Sequence, residues 1–437
     1  MKQLGAQWAR ELVKAISNIG TAISFCYNRL MQLWSLNIRH LRALAAICRL
    51  GSVSAAAQAI NLSQPALTQG MARLEQQLGR PLFERRTDGM TPTQSGAILC
   101  ARVDKAMVNL AAGFRAARGG AAMGGFVEAD RLVTMAQLRA LIALADAGSY
   151  ISASAATGLS QPSLHRAVRE LETASGLTLF VRRGRGVAIT NAGRTIVRAF
   201  RLARTELQSG LFEIAALGGA AVGRIAVGAM PLARAKLIPK VIARFHAVHP
   251  DVRIDIVDGP HAELIEQLRD GDLDFLIGAL RYPEPGKDVE QRRLYDDHLV
   301  IAARAGHPLA GRDVPTVEAL AGFPWVIARS GTPMRRLWEK MFVSANVDPP
   351  KAPVSCSSVL AIRSLLQEGD YLTLLSPDQI ARDAESGLIA TIGAPLPGTS
   401  RPIGVTIRAG WQPTGLQAEF LQEVEKTIRD DNQAGPS

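Results

Sequence analysis

An internal repeat constrains this chain more than any other feature. The segment Ser63-Gln64-Pro65-Ala66-Leu67 recurs 97 positions later as Ser160-Gln161-Pro162-Ser163-Leu164. Laying residues 41–96 on residues 138–193 without a gap gives 24 identities in 56 positions. A repeat of that extent indicates one structural module present twice. With 437 residues, the chain is long enough for these two copies and a larger third domain.

Each copy has the pattern of a helix–turn–helix. In the first copy Ser63 is a typical N-cap and Pro65 lies in the first turn, which predicts a helix over residues 64–78. In the second copy Ser160 caps the equivalent helix over residues 161–174. Two shorter helices are predicted before each of them. Polar side chains lie opposite an apolar stripe on this last helix, so that face is free to enter a groove.

A basic hairpin and a long helix follow in each copy. The predicted wings carry Arg85, Arg86, Arg182, Arg183 and Arg185. Thr93 and Thr190 are predicted to cap trailing helices that run to about residues 118 and 217. The second trailing helix has an apolar seam formed by Ile196, Phe200, Ala203, Leu207, Leu211 and Ile214. We expect this seam to pair with a helix of a second subunit.

These motifs resemble the N-terminal domain of LysR-type transcriptional regulators. The resemblance rests on Gly-Ser, an alanine-rich helix, Leu-Ser-Gln-Pro, Leu-Glu, Leu-Phe, Arg-Arg and the Thr and Gly that follow. The chain departs from the family in carrying this domain twice. In the family the recognition helix lies in the major groove and the wing contacts phosphate. The resemblance therefore implies that the DNA-binding residues are Gln64, Pro65, Thr68, Gln69, Arg73, Arg85 and Arg86 in the first copy, and Gln161, Pro162, His165, Arg166, Arg182, Arg183 and Arg185 in the second.

One substitution between the copies affects the recognition helix itself. Gly70 lies in the middle of the first recognition helix where the second has Ala167. A glycine there costs roughly 1 kcal/mol of helix stability. We therefore expect the first copy to be the weaker DNA reader.

Charge is divided unequally along the chain. Residues 1–220 contain 26 Lys and Arg against 12 Asp and Glu, a net charge of +14. The remaining residues contain 24 against 27, a net charge of −3. General solubility would not separate the charge in this way, whereas binding of phosphate by the N-terminal half would.

The glycines and the repeat together predict the domain boundaries. They are an N-terminal extension (1–35), a first winged helix-turn-helix with its trailing helix (36–118), a flexible linker (119–130), a second winged helix-turn-helix with a dimerisation helix (131–217), an effector-binding domain (222–430) and a tail (431–437). The four cysteines, Cys26, Cys48, Cys100 and Cys356, have no metal-binding or redox spacing, and we interpret them as ordinary thiols. Two interpretations of the extension stay open: an extra amphipathic helix, or an annotation artefact with the true start at Met31.

The C-terminal half predicts an α/β domain. Apolar strands at residues 224–229, 252–257 and 273–277 alternate with amphipathic helices, and five further strands are expected downstream. We expect open, largely parallel sheets. The pattern resembles the two-lobed, periplasmic-binding-protein-like effector domain of the same regulators. The predicted fold is therefore multidomain: two all-α-type winged helix-turn-helix domains followed by that α/β domain.

An effector of such a domain is expected in the cleft between the lobes, at strand ends and helix N-termini. The candidate effector-binding residues are Met230, Pro231, Leu232, Ser330, Thr332, Ser357 and Ser358. Each hydroxyl residue is also a plausible helix cap without any ligand. Helix N-termini with free N–H groups and hydroxyls favour an anion such as a carboxylate. Met230 or Leu232 stands where many relatives have a hydroxyl residue, which weakens that case at the first segment and suggests a more apolar or neutral effector.

The sequence therefore predicts a DNA-binding transcriptional regulator of LysR type that senses a small molecule. Motifs for phosphate binding, zinc proteases and serine hydrolases are absent, so we expect no enzymatic activity, no cofactor and no metal. The expected partners are double-stranded DNA, a small-molecule effector and a homodimer or homotetramer, with RNA polymerase as a further candidate and no membrane contact. The expected location is cytoplasmic. The alternative is an architectural DNA-binding protein whose first winged domain is a degenerate dimerisation module and which senses no effector.

Overall fold

The structure is a computed structural model that describes residues 33–86, 89–119, 133–184, 186–219, 223–311, 314–396 and 398–433. The predictions for residues 1–32, for the linker beyond Gly119, for Arg185 and for the end of the tail lie outside these residues. The side chains of Arg85 and Arg86 lie outside them as well.

The two repeats fold into two copies of one winged helix-turn-helix, called unit one and unit two below. Unit one contains α1 (Ile38–Leu50), α2 (Val53–Ala59), α3 (Gln64–Leu78), β1 (Phe83–Arg86), β2 (Gly89–Pro92) and α4 (Gln94–Ala117). Unit two contains α5 (Met135–Ala147), α6 (Tyr150–Thr157), α7 (Gln161–Ser175), β3 (Phe180–Arg183), β4 (Gly186–Ile189) and α8 (Asn191–Ala216). Each strand pair is antiparallel. The helices predicted from the caps and glycines are confirmed.

Residues shared by the repeats make the same bonds in both units. Glu75 Oε1 accepts a hydrogen bond from the Leu82 N–H at 2.7 Å, and Glu172 Oε1 accepts one from the Leu179 N–H at 2.8 Å. These bonds fix the wing against the recognition helix, because a carboxylate that accepts backbone N–H groups makes strong, directional contacts. The shared Leu-Glu motif is therefore explained by wing placement.

The glycine that follows each capping threonine permits a close approach of the wing. A Cβ on Gly96 would overlap the Leu82 carbonyl oxygen, and a Cβ on Gly193 would overlap the Leu179 carbonyl oxygen. Any side chain at these positions would push the trailing helix off the wing. Both glycines are thus required by packing.

The trailing helices α4 and α8 pack against each other within the chain. Gly113 lies beside Thr195 and Ala199, and Gly210 lies beside Arg102 and Leu99, so the two helices are antiparallel. The Phe114 and Phe200 rings meet edge to face at 6.1 Å. The seam residues Ile196, Phe200, Ala203, Leu207, Leu211 and Ile214 are all buried. The prediction that this seam pairs with a second subunit is therefore wrong.

The helix that packs against the seam of α8 is α4, the equivalent trailing helix of the first repeat. Residues 118–134 link α4 to unit two in the same chain, which gives α4 a high effective concentration near α8 and favours pairing within the chain. Gly113 faces Ala199, while its equivalent Gly210 faces Arg102, the equivalent of Ala199. The exchange of partners shows that a pseudo-twofold axis crosses the helix pair.

The C-terminal domain has two lobes. Lobe one contains β5 (Arg224–Ala229), α9 (Pro231–Ala235), α10 (Leu237–Val248), β6 (Arg253–Val257), α11 (His261–Asp270), β7 (Phe275–Ala279), β8 (Val289–Asp297), β14 (Arg401–Arg408) and α16 (Gly415–Gln433). Lobe two contains β9 (Val300–Arg304), α12 (Val317–Ala321), β10 (Val326–Ile327), α13 (Pro333–Val343), β11 (Val354–Ser355), α14 (Val359–Gln367), β12 (Thr373–Leu375), α15 (Pro377–Glu385) and β13 (Ile389–Ile392).

The sheets are mixed, which corrects the expectation of largely parallel strands. Lobe one has the order β6-β5-β7-β14-β8, in which β6, β5 and β7 are parallel and β14 runs antiparallel to both of its neighbours. In lobe two, β12 and β13 both pair antiparallel with β9. β14 returns from lobe two, so it enters the first sheet from the opposite end and is antiparallel there.

One cysteine prediction is wrong. Cys48 on α1 and Cys100 on α4 form a disulfide, with their Cα atoms 6.6 Å apart. They lie 52 residues apart in sequence, and the packing of α1 on α4 brings them together. Cys356 is a free, partly buried thiol, as expected.

Candidate nucleic-acid interface and effector cleft

The N-terminal half of α3 presents the predicted DNA-binding residues of unit one to solvent. Gln64, Pro65, Thr68, Gln69 and Arg73 are all exposed. Leu67, Met71 and Leu74 are buried on the opposite side of the helix. Ser63 caps the helix by accepting the Ala66 N–H, as its position predicted. The sequence-predicted face therefore forms one continuous exposed surface.

Unit two presents the equivalent face of α7. Gln161, Pro162, His165 and Arg166 are exposed. The His165 ring stacks on the Tyr150 ring, with centroids 3.6 Å apart and planes within 16°. Sequence reasoning missed Tyr150, whose equivalent in unit one is Val53. Its stacking holds the imidazole at the start of the recognition helix.

The first strand of each wing ends in two of the predicted arginines. Arg182 and Arg183 at the end of β3 are exposed beside the recognition helix. Arg85 and Arg86 hold the same places in β1, where they pair in register with Met90 and Gly89. Exposed guanidinium groups beside a recognition helix are suited to phosphate contacts.

The glycine in α3 has a packing role. A Cβ on Gly70 would lie 2.8 Å from Cδ2 of His40. The equivalent pair in unit two is Ala167 and Gln137. Burial and the neighbouring Arg73 lower the pKa of His40. Gly70 therefore makes room for the imidazole, which compensates part of its cost in helix propensity.

An ionic cluster joins α8 to lobe one. Arg198 contacts Asp270 at 2.7 Å and Glu266 at 2.6 Å, and Arg204 contacts Asp272 at 2.9 Å. Arg201 forms ion pairs with Asp146 of unit two and with Asp270. Arg201 thus connects unit two directly to the C-terminal domain.

A second contact joins α4 to the C-terminal domain. Arg102 is 5% exposed and contacts Glu206 at 2.9 Å and Glu213 at 2.7 Å on α8. Its Nη1 also donates to the Gln412 carbonyl oxygen at 2.9 Å. These carboxylates raise the pKa of Arg102 against the opposing effect of its burial. The side chain is therefore a charged node between both trailing helices and the C-terminal domain.

The first predicted effector segment follows β5. Met230 is half-buried, its side chain lies against Gly278 of β7, and it precedes Pro231 at the start of α9. Leu232 is buried at 6% exposure, so its side chain does not line an open cleft in this conformation.

The other two predicted effector segments, residues 330–332 and 357–358, precede α13 and α14 of lobe two. Thr332 Oγ1 accepts the Arg335 N–H at 3.2 Å, and Ser358 Oγ accepts the Ala361 N–H at 3.3 Å, so both residues are helix caps. Ser330 and Ser357 are exposed. Helix capping therefore explains two of the four predicted hydroxyl residues, Thr332 and Ser358, and neither of them needs a ligand for that role.

Sequence reasoning missed a group of arginines near these segments. Arg281 follows β7, Arg401 begins β14, and Arg336 on α13 donates to the Gly331 carbonyl oxygen at 2.8 Å. Burial, followed by the charges of Arg401 and Arg336, lowers the pKa of Arg281. Among the described residues, no carboxylate forms an ion pair with Arg281. Arg401 pairs with Asp297 at 2.7 Å, so the positive charge near the Ser330–Thr332 segment that has no carboxylate partner among the described residues comes from Arg281 and Arg336.

The described residues offer neither a membrane span nor a metal site. No helix in this part of the chain is long and apolar enough to cross a membrane. No group of three or more His, Cys, Asp and Glu in the described ranges could hold a metal ion.

The geometry defines a class of protein: a DNA-binding regulator with two winged helix-turn-helix units on paired helices and a two-lobed domain attached to them. The model of the bacterial regulatory helix-turn-helix protein of the lysR family matches twice, at residues 38–97 and 135–194. The model of the LysR substrate binding domain matches residues 218–429.

Similar proteins agree with these matches. The chain is 34% identical over 396 residues to the HTH-type transcriptional regulator GalR of Pseudomonas putida KT2440. The aligned residues cover 90% of this chain and 98% of that relative. It is 28% identical over 299 residues to the HTH-type transcriptional regulator PcaQ of Agrobacterium fabrum, over 68% of this chain and 96% of PcaQ. A full-length OxyR variant from Pseudomonas aeruginosa has a similar structure, with a TM-score of 0.51 and 25% identity over 68% of this chain and 95% of that one.

The chain belongs to the LysR family of transcriptional regulators. It is a DNA-binding regulator with a domain for a small-molecule effector, and its family is not one of enzymes. An alignment that covers 90% of the chain has to include most of both winged units, so the similarity to GalR extends across the duplication.

Proposed function

We propose that both winged units of one chain bind DNA together, each in its own half-site. The observation that carries this proposal is the exposure of two recognition faces on units that are paired by α4 and α8. The pairing buries the trailing helices and leaves α3 and α7 free. The alternative in which unit one serves only for dimerisation has less support, because its recognition face keeps Gln64, Thr68, Gln69 and Arg73 exposed.

The two sets of side chains have different tasks in this proposal. The recognition-helix residues contact base edges in the major groove, and the wing arginines, including Arg182 and Arg183, contact phosphates. Phosphate contacts release counterions and make binding steeply dependent on salt. The net charge of +14 on residues 1–220 fits this task.

Substitution of two arginines in unit two tests the division of tasks. Arg166→Ala should cost about 1–3 kcal/mol of binding free energy and change the base preference at one position, because a base contact is lost. Arg183→Ala should weaken binding to all sequences alike and reduce the salt slope by about 1. Affinities are measured by fluorescence anisotropy on a set of single-base variants. Identical specificity profiles for the two variants would contradict the assignment.

The paired units also predict a stoichiometry. One chain should occupy two half-sites, whereas a regulator with one winged domain needs two chains for them. With the short duplex in excess, sedimentation should show one duplex bound per chain, whatever the association of chains through their C-terminal domains. One duplex per two chains would reject the proposal. Association of chains into a homodimer or homotetramer through the C-terminal domains, contact with RNA polymerase and a cytoplasmic location stay predictions.

We further propose that the C-terminal domain binds a small organic anion between its lobes. Of the predicted residues, Leu232 is buried and Thr332 and Ser358 cap helices, so Met230, Pro231, Ser330 and Ser357 are the candidates that we retain for the site. Arg281 and Arg336 supply the charge in this proposal. Support comes from Arg281, which forms no ion pair within the described part of the chain and whose pKa is lowered by burial and by the charges of Arg401 and Arg336. This replaces the neutral effector that Met230 and Leu232 favoured.

Thermal unfolding tests the anion proposal. A panel of small aromatic and aliphatic carboxylates is compared with the corresponding uncharged amides. At least one carboxylate should raise the melting temperature where its amide does not, because a ligand that binds only the folded state stabilises it. The shift should disappear in Arg281→Ala. Equal stabilisation by acids and amides would contradict the proposal.

A further inference from the structure

We propose that this protein recognises an operator whose two half-sites differ, and that it binds this operator in one orientation only. The half-sites should differ at the base pair that faces Gln69 in unit one and Arg166 in unit two. The proposal rests on the proposed function, namely that both units contact DNA.

The helix pair sets the relation between the two readers. Gly113 faces Ala199 and Gly210 faces Arg102, and these contacts exchange under the pseudo-twofold axis between α4 and α8. Two readers related in this way meet the two strands of a duplex in opposite directions, as the subunits of a symmetric dimer do. The half-sites should therefore form an inverted repeat.

The readers are not copies of each other at the base-reading positions. Gln64 and Gln161 are the same residue, and so are Pro65 and Pro162, but Thr68 corresponds to His165 and Gln69 to Arg166. All four of the differing side chains are exposed. A glutamine pairs best with adenine, through N6 and N7, and an arginine with guanine, through O6 and N7. The inverted repeat should therefore have adenine in the first half-site where it has guanine in the second.

The neighbouring position reinforces the difference. His165 is stacked on Tyr150 with the ring centroids 3.6 Å apart, whereas Thr68 Oγ1 donates to the Gln64 carbonyl oxygen at 3.0 Å. A rigid ring and a hydroxyl group already bonded to its own helix present different shapes and hydrogen-bonding groups to the groove. The two readers thus differ at two adjacent positions.

The position of the C-terminal domain makes the two orientations of the chain on an operator different from each other. Arg198, Arg201 and Arg204 hold lobe one against α8, and the equivalent positions in α4 are Ala101, Asp104 and Met107. The C-terminal domain is therefore docked asymmetrically on the helix pair. A chain bound in one orientation places this domain on a fixed side of the operator.

Selection of bound sequences from random duplex DNA tests the proposal with the full-length protein. The wild-type motif should be an imperfect inverted repeat with A·T in one half where the other has G·C. Two perfect palindromes are then made, one from each half-site. The wild type should bind each of them about 10-fold or more weakly than the natural arrangement, because each leaves one reader on the wrong base.

Exchange of the two side chains provides the decisive variants. Gln69→Arg should prefer the palindrome made from the second half-site, and Arg166→Gln the palindrome made from the first. With both substitutions, the chain should bind the natural operator in the opposite orientation, because an inverted repeat with these two base pairs exchanged is the same duplex read from its other strand. Gln76→Arg is the matched control, because it adds the same charge to the exposed face of α3 about two turns farther on. It should strengthen binding to all duplexes without changing base preference.

The outcomes separate this inference from the function on which it rests. A wild-type motif that is palindromic at this base pair, or equal affinity for all three arrangements, would overturn the inference and leave two-reader binding intact. A change of base preference in the Gln76→Arg control equal to that in Gln69→Arg would also overturn it. The absence of sequence-specific binding to any duplex would reject the proposed function itself.

Discussion

Gly113 on α4 lies so close to Ala199 on α8 that a Cβ at position 113 would overlap the Ala199 methyl group. At the pseudo-symmetric position, a Cβ on Gly210 would lie 3.2 Å from Cβ of Arg102. The two glycines are equivalent in the repeat but have different neighbours. The helix pair is therefore twofold in its backbone and asymmetric in its side chains.

This asymmetry predicts different effects of two identical substitutions. Gly113→Ala should destabilise the protein by about 1–3 kcal/mol, because overpacking of a tight helix contact outweighs the gain in helix propensity. Gly210→Ala should cost less, since a shift of a few tenths of an ångström by Arg102 relieves the contact. Urea unfolding of both variants measures the difference. Equal losses of stability would contradict this account of the crossing.

The buried charges where α4 crosses α8 predict a large loss of stability for one substitution and a partial recovery of stability in a double variant. Arg102→Met should cost about 3–5 kcal/mol, because it leaves the buried Glu206 without its guanidinium partner. Lys105, 3.9 Å from Glu206, is a poor substitute at that distance. Adding Glu206→Met should restore part of the stability, since the more buried of the two carboxylates is then gone and the remaining one, Glu213, is 23% exposed and stays hydrated. The free energy of unfolding is measured for both variants. A double variant that is no more stable than Arg102→Met alone would exclude this explanation.

The ionic cluster between α8 and lobe one predicts an energetic coupling. A double-mutant cycle of Arg201→Ala and Asp270→Ala should give a coupling of about 0.5–3 kcal/mol, because both side chains are largely buried and in direct contact. The exposed pair Arg293 and Asp296 is the control and should give less than about 1 kcal/mol. Both cycles are measured by thermal unfolding at low and high salt. A coupling for Arg201 and Asp270 as small and as salt-sensitive as that of the control would refute a buried clamp.

His40 predicts a dependence of stability on pH. Its pKa is lower in the folded protein than the usual value near 6.5, so the unfolded chain binds more protons just below that pH. The stability that neutral His40 contributes is therefore present above about pH 6.5 and is lost as the pH falls through the lowered folded value. His40→Gln copies the residue that unit two has at position 137 and should lose less stability between pH 7 and pH 5. Contributions from His261 and His307 cancel in this comparison, and parallel curves for the two proteins would contradict the prediction.

Local signals predicted the DNA-reading helices well. Ser63 and Ser160 cap α3 and α7, and Gly79 and Gly176 end them in the left-handed conformation, so each boundary was encoded within a few residues. The exposed face followed from helical spacing, since Leu67 and Leu164 had to point inward. These elements are determined by their own sequence and little else.

Relations between distant segments could not be predicted in the same way. The seam of α8 indicated that a partner helix is needed, but spacing does not say whether that helix belongs to the same chain. The stack of Tyr150 on His165 and the disulfide of Cys48 with Cys100 depend on packing between elements. Strand β8 was missed because its sequence, Val289–Asp297, is mostly polar, as suits the edge of a sheet.

The pairing of α4 with α8 inside one chain changes how operator occupancy depends on protein concentration. A regulator whose readers lie on separate subunits must first dimerise, so at low copy number its occupancy rises with roughly the second power of concentration. Here the two winged units are joined before any encounter with DNA, so occupancy of an operator by a single chain, as proposed above, should rise along a simple hyperbola. A cell holding only a few molecules of this protein could therefore still regulate its target, without a threshold set by assembly.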